Sequence, residues 1–120
     1  MSRTLAGTLV AVLTLLAWVG PAEARLLQTS GNVTLLRIHN VGTKYGPPTD
    51  QIDVEVVFWV DRHPGRAFGF QLRNDANRAV RQGMLDLLRD AYTHGHRVYF
   101  DYSIDDGKKN GVVIRLWLKK

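Results

Sequence analysis

The sequence predicts a mainly β domain with a single helix, in the order β-β-β-α-β-β. Five stretches carry apolar residues with the two-residue period of a strand. One stretch, residues 79–93, carries them three and four residues apart, as a helix does. Clusters of Gly, Pro, Asp and Asn separate these stretches. The arrangement predicts one small domain with one hydrophobic core.

The first 24 residues predict a secretory signal peptide that does not belong to this domain. Arg3 gives a basic start, an apolar run covers residues 5–19, and Ala-Glu-Ala at 22–24 is a small-residue cleavage pattern. The run is short for a membrane span, which disfavours an uncleaved anchor. We therefore expect a single mature domain, residues 25–120, that is secreted or periplasmic in a bacterium and has no membrane span.

Three strands are predicted before the helix. The first covers residues 32–41, and its apolar phase slips at Leu35-Leu36, which indicates a bulge or bend. The second covers residues 52–60, and the third follows a turn at Pro64-Gly65. The inward residues of the second and third strands are predicted to be Ile52, Val54, Val56, Phe58, Val60, Phe68, Phe70 and Leu72.

The helix is predicted to begin directly after the third strand. Asn74, Asp75 and Asn77 can accept hydrogen bonds from the free amide groups of its first turn. Gly95 suits a left-handed residue at its end. The predicted buried stripe consists of Val80, Met84, Leu87, Leu88 and Ala91.

Two further strands are predicted at residues 97–104 and 111–119. The segment between them, DDGKKNG, is a glycine-bounded hairpin loop. The inward residues of these strands are predicted to be Val98, Phe100, Tyr102, Ile104, Val112, Ile114, Leu116 and Leu118.

The complete order of elements fits the OB-fold, a five-stranded, partly open Greek-key barrel with a helix between its third and fourth strands. A bent first strand fits as well, because that strand serves both sheets of a small barrel. An open α+β sheet with the helix on one face is the alternative.

Ligands of OB-folds usually meet the face of strands two and three and the loops that join strands one to two and four to five. Trp59, with Val57 on the same predicted outward face, is a stacking platform for a sugar or a base. The predicted ligand-binding residues are Lys44, Tyr45, Trp59, Gln71, Arg73, Lys108 and Lys109. Two of these, Lys108 and Lys109, also fit a plain solvated turn.

The outward aromatic residues have a second interpretation. Trp59, Tyr99 and Trp117 all lie on the outer phase of their strands. Contiguous exposed aromatics mark contact surfaces, so these residues predict a subunit interface and a homo-oligomer.

We expect no catalysis, no metal site and no cofactor. The chain has no cysteine, Ser103 lacks a glycine elbow, and the acid pair Asp53 and Glu55 is predicted on an exposed strand face. His94 and His96 form only a His-x-His pair, whereas a zinc site needs three or four ligands. The net charge of +5 raises nucleic acid as a partner, but the charges are interspersed and export disfavours it.

The segment GMLDLLRDAYTHGHRVYFDYSID, residues 83–105, places a helix that carries Tyr92 before Gly95 and an aromatic-rich strand. With the signal peptide and the strand order, the mature chain resembles the B subunits of bacterial A–B toxins, of the subtilase-cytotoxin type. The resemblance implies an exported OB-fold that recognises a glycan or protein receptor and forms a ring. That family generally carries a disulfide, which this chain lacks, and its sugar-contacting serine pattern has no counterpart here.

The sequence therefore predicts an exported, non-catalytic binding module for a glycan or a protein receptor. Two alternatives remain open at this point. One is a structural or interaction protein of the bacterial envelope that uses its aromatic outer face as an interface. The other is a nucleic-acid-binding OB domain.

Overall fold

Five strands join side by side into a closed barrel, and one helix packs against it. The computed structural model describes residues 26–120. Its elements are β1 (Leu26–Ile38), β2 (Val56–Val60), β3 (Phe68–Phe70), α1 (Arg78–His94), β4 (Arg97–Ser103) and β5 (Gly111–Trp117). The order around the barrel is β1-β2-β3-β5-β4, with β4 paired back onto β1. The predicted OB-fold-like barrel and its order of elements are therefore confirmed, whereas the predicted signal peptide lies outside the described residues.

All neighbouring strands are antiparallel except β3 and β5, which run parallel for a short stretch. Phe68 pairs with Gly111 and Gly69 pairs with Val112. Within residues 26–120, no helix is long and apolar enough to cross a membrane.

The first strand is longer than predicted because it serves two neighbours. Its first part, from Leu26 to Asn32, pairs with β4, and its second part, from Val33 to Ile38, pairs with β2. The pairing with β2 is irregular between Val33 and Leu35, which confirms the predicted bend. The predicted range of 32–41 was wrong at both ends. Its start was missed because the polar segment before Asn32 shows no alternation.

The second strand is shorter than predicted because the chain bends before it begins. Ile52 forms only an isolated bridge with Tyr45, and the regular strand starts at Val56. The bend at Glu55 reverses the alternation, so Val54 packs in a different cluster from Val56. Val57, predicted to point outward, is fully buried. It belongs to a second apolar cluster with Ile52, Val54 and Ala67, packed against Tyr45, Trp59 and Val112.

The helix contributes four side chains to the main barrel core. Met84, Leu85, Leu88 and Ala91 are buried and pack with β-strand residues that include Phe58 and Phe100. Gly95 ends the helix with a φ of 71°, which confirms the predicted left-handed position. The buried stripe differs from the prediction at its start, because Leu85 is buried and Val80 is 66% exposed.

The helix begins without the predicted side-chain cap. Asn77 occupies the capping position, but its side chain forms no capping hydrogen bond. Asp75 Oδ1 instead accepts from the backbone N–H of Asn77 at 2.9 Å. Asp75 therefore stabilises the turn before α1 and does not cap the amide groups of the first helical turn.

A β-bulge corrects the prediction for β5. Asp101 pairs with Arg115, but the next residue of β4, Tyr102, pairs with Val113, so Ile114 is the extra residue. The bulge reverses the phase: Val113 and Leu116 are buried, and Ile114 is 52% exposed. The strict alternation predicted for this strand, with Val112 and Ile114 inward, is therefore wrong.

Candidate functional site

The face of β2 that carries Trp59 is partly covered by the loop between β1 and β2. The Trp59 indole N–H donates to the Tyr45 hydroxyl at 3.1 Å. The Arg37 guanidinium carbon in turn lies 5.3 Å from the centre of the Tyr45 ring. Tyr45 and Trp59, both predicted ligand contacts, are thus brought together, but they are held by each other and by the second apolar cluster.

Gln71 and Arg73, the other predicted ligand residues after β3, bind the chain before β2. Arg73 Nε and Nη2 donate to the two carboxylate oxygens of Glu55, each at 2.9 Å. Arg73 Nη2 also donates to Asp53 Oδ1 at 2.7 Å, and the Gln71 side-chain amide donates to the Asp53 carbonyl. The acid pair Asp53 and Glu55 thus holds the segment after β3 in place.

Glu55 is buried in this network, with its side chain only 3% exposed. The hydrogen bonds from Arg73, opposed by burial and assisted by the Leu72 amide, lower the pKa of Glu55 below its ordinary value of 4.5. The same contacts raise the pKa of Arg73. Because a buried carboxylate without its partner is costly, we assign this network to stability rather than to ligand binding.

We predict that Glu55 makes the fold sensitive to acid. Its pKa is lower in the folded chain than in the unfolded chain, so its stabilisation is complete above pH 4.5 and is lost as the pH falls below it. Glu55→Gln should lower the free energy of unfolding at pH 7 by about 2 kcal/mol. It should also flatten the dependence of stability on pH between 5 and 3, measured by urea unfolding.

Asp106→Asn is the matched control for this experiment. Asp106 is exposed in the β4–β5 loop and forms no ion pair within residues 26–120. An equal loss of acid sensitivity in Asp106→Asn would show that the Glu55 network is not its source.

The three remaining predicted ligand residues are lysines in two loops that lie against each other. Lys44 is exposed and has a φ of 59°. The backbone N–H of Lys109 donates to both carboxylate oxygens of Asp50, and Lys108 Nζ donates to the Gln51 carbonyl. The β4–β5 loop is thereby fixed against the β1–β2 loop.

Asn110 extends this connection to the start of β3. Its side-chain amide donates to the Asp50 carbonyl, and its side-chain oxygen accepts from the Ala67 backbone N–H at 3.0 Å. The β1–β2 loop, the β2–β3 turn and the β4–β5 loop are therefore joined through one buried side chain. This connection holds Lys109 beside the β2–β3 turn.

A shallow, open and positively charged depression lies where the β2–β3 turn meets Lys109. We call this surface the basic basin; its volume is about 390 Å³. It is lined by Arg62, His63, Pro64, Gly65, Arg66 and Lys109. The β2–β3 turn lies at the start of β3, and the β4–β5 loop lies at the end of β4. The helix α1 connects the other two ends, which are the end of β3 and the start of β4. The basin therefore lies at the end of the barrel away from α1.

Side chains of the barrel hold the cationic groups of the basin in position. Arg66 Nη1 donates to the Tyr102 hydroxyl at 3.3 Å, and Arg62 Nη1 donates to Ser30 Oγ at 3.3 Å. His63 Nε2 lies 2.7 Å from Thr29 Oγ1, and its ring contacts Phe68 edge to face. The side chains of Arg62, His63 and Arg66 are thus held by the barrel, and Lys109 is positioned through its backbone.

The cationic side chains of the basin, Arg62, Arg66 and Lys109, form no ion pairs in the described chain. Arg66 Nε is buried and has no hydrogen-bond partner among these residues. Burial, together with the charges of Arg66 and Arg62, lowers the pKa of His63 below its ordinary value of 6.5. These side chains can therefore bind an anionic oxygen without breaking an ion pair.

The three predicted interface residues occupy two separate places. Tyr99 and Trp117 face each other across β4 and β5, with their rings stacked at 6.2 Å and Lys119 Nζ 4.6 Å above the Tyr99 ring. Trp59 pairs with Leu35 on β1, whereas Tyr99 pairs with Ser30. Five residues of strand separate those two partners, which corresponds to about 16 Å. The structure therefore joins Tyr99 with Trp117 but not with Trp59.

The histidines do not form a larger cluster. The rings of His94 and His96 stack at 5.8 Å, and His63 lies in the basin. Within residues 26–120, no three or more His, Cys, Asp or Glu side chains converge in a way that holds a metal ion.

The basin was largely missed by the sequence interpretation. Of its lining residues, only Lys109 was a predicted contact, because DRHPG was interpreted as a turn between two strands. The available signal was three cationic or titratable side chains within five positions around a Pro-Gly corner. Their meeting with Lys109 depends on Asn110, whose role is not visible in the sequence.

The comparisons with known proteins give no family for this chain. No family model matches the sequence, and no curated protein is detectably similar to it. The fold is that of a small five-stranded barrel, and the function has to be argued from the site.

Proposed function

We propose that this protein is an exported, non-catalytic binding module that recognises an acidic glycan at the basic basin. The observation that carries the proposal is the set of Arg62, Arg66 and Lys109, which line one surface and whose side chains form no ion pair in the described chain. Guanidinium groups bind carboxylate and sulfate oxygens through paired hydrogen bonds. A sugar that bears one such group matches a compact basin of this size.

The shape of the basin favours a glycan over a nucleic acid. Single-stranded nucleic acids bind along a charged groove with aromatic rings on which the bases stack. The basin is a short depression and not a groove, and His63 is the only aromatic side chain among its lining residues. The export expected from the N-terminal sequence supports the same choice.

The experiment measures binding of a sialylated oligosaccharide by isothermal titration calorimetry, with the asialo form of the same sugar as the neutral probe. In the test variant, Arg62→Gln and Lys109→Gln together remove two charges from the basin. In the matched control, Arg78→Gln and Arg89→Gln together remove two charges from exposed positions of α1. Both leave the Arg66–Tyr102 contact intact.

We expect the wild type to bind the sialylated sugar and the basin variant to lose at least about tenfold in affinity. The helix variant should bind within about twofold of wild type, because its lost charges are distant and screened. Equal binding of the neutral sugar would contradict the proposal. Tighter binding of a single-stranded oligonucleotide, again weakened in the basin variant, would assign the basin to nucleic acid instead.

The alternative of an envelope interaction protein is favoured by a different observation. The stacked Tyr99 and Trp117 rings, with Lys119 above them, form an ordered aromatic surface on the outside of β4 and β5. Such a surface suits a second subunit or a protein partner. Such a surface also suits the ring assembly that the resemblance to toxin B subunits implies.

A further inference from the structure

A second concave site lies at the other end of the molecule from the basic basin, where α1 begins. It is a cavity of about 470 Å³ between the start of α1, the end of β3 and the first residues of β5. It exists because β3 and β5 pair at only two positions and then separate. Its volume falls within the range of small-molecule pockets, about 300–1,000 Å³.

One part of the cavity wall is apolar. Phe70, Met84 and Val113 are buried core residues that also line the cavity. Val80 and Ile114 line it as well, and they are 66% and 52% exposed. The bulge in β5 is what turns Ile114 outward. These side chains can bury the apolar body of a ligand, which provides most of the affinity of such sites.

The polar part of the wall contains the Arg81 guanidinium group. Arg81 Nη1 forms a long ion pair with Asp75 Oδ2 at 3.5 Å, but it is buried and has no hydrogen-bond partner in the described chain. Asp53, which also lines the cavity, is occupied by Arg73. Gln71 and Asn77 add side-chain amides. The cavity therefore combines a hydrophobic wall with a buried donor that has only a long ion pair and no hydrogen bond.

We propose that this cavity binds a small organic carboxylate with an apolar chain. The chain packs against Phe70, Met84 and Val113, and the carboxylate accepts hydrogen bonds from Arg81. A carboxylate fits better than a neutral polar group because it can give Arg81 Nη1 the charge-assisted hydrogen bond that Asp75, at 3.5 Å, does not. The site shares no lining residue with the basic basin, so the inference does not depend on the proposed function.

The test uses octanoate as the probe and 1-octanol as the same chain without the charge. Backbone amide shifts of the isotope-labelled protein are followed during titration with each compound. Arg81→Gln removes the proposed partner, and Arg78→Gln removes the same charge from a neighbouring exposed position that does not line the cavity. Thermal melting of both variants verifies that the fold is retained.

We expect octanoate to shift the amides of Phe70, Arg81 and Val113 and to bind Arg81→Gln at least about tenfold more weakly than wild type or Arg78→Gln. Octanol should bind wild type and Arg81→Gln alike and more weakly than octanoate binds wild type. Absence of shifts around the cavity would overturn the proposal. Equal weakening in the two variants, or equal affinity for octanol and octanoate, would overturn it as well.

Discussion

Replacing Leu88 with aspartate is expected to unfold the domain. Leu88 is fully buried in the main core and lies in the centre of the helical face that packs against the barrel. The substitution places a charge without a partner in an apolar environment and removes a large side chain. The expected cost of about 4–5 kcal/mol or more is close to the whole stability of a small domain. Circular dichroism during heating should show no cooperative transition.

Val80→Asp is the matched control on the same helix. The sequence placed Val80 and Leu88 on one buried stripe, but Val80 is 66% exposed. The variant should therefore melt cooperatively within a few degrees of wild type. If Val80→Asp unfolded the protein and Leu88→Asp did not, α1 would pack through a different face.

Gly69→Ala is expected to destabilise the protein by about 3 kcal/mol, because the added methyl group has no space. A Cβ at this position would lie 2.6 Å from the Val56 carbonyl oxygen and 2.6 Å from Val54 Cγ2. The carbonyl belongs to the partner strand β2, so the backbone has to move. Gly69 also pairs with Val112, and a shift there would disturb the short β3–β5 contact that closes the barrel. Urea unfolding measures the loss.

Gly83→Ala makes the same chemical change where space is available. Gly83 lies within α1, and a Cβ there would meet nothing within 4 Å. The variant should gain about 0.5–1 kcal/mol, because alanine favours the helix over glycine. Similar effects in the two variants would show that the close approach at Gly69 does not limit stability.

The fold could be predicted because its elements are marked by local patterns. Three local patterns are preserved in the folded chain. They are the alternation around Phe68 and Phe70, the helical spacing of Met84, Leu88 and Ala91, and the glycine at position 95 that ends the helix. The order of the elements then selects among few topologies.

The errors arise where tertiary contacts override a local period. The bend at Glu55 is fixed by Arg73, 18 residues later in the chain, so alternation alone cannot reveal it. The bulge at Ile114 depends on the pairing of β5 with β4. In both places the chain shifts by one residue, so the side chains before and after the shift follow opposite phases.

The candidate site was the least predictable feature because it is assembled from distant segments. Arg62, His63 and Arg66 come from one turn, but Lys109 reaches them only through the contacts that Asn110 makes with Ala67 and Asp50. Conversely, Arg73 looked available in the sequence and is bound by two acids in the fold. Which charges are paired is a property of the folded chain.

The most direct test of the central claim is to map the binding of a sialylated oligosaccharide by backbone amide shifts of the isotope-labelled protein. We expect shifts at Arg62, Gly65, Arg66 and Lys109, which line the basic basin. We expect none at the indole N–H of Trp59, which is already bound to Tyr45, or at that of Trp117. Shifts confined to the two tryptophans, with the basin unchanged, would contradict the account and return the binding site to the aromatic outer face.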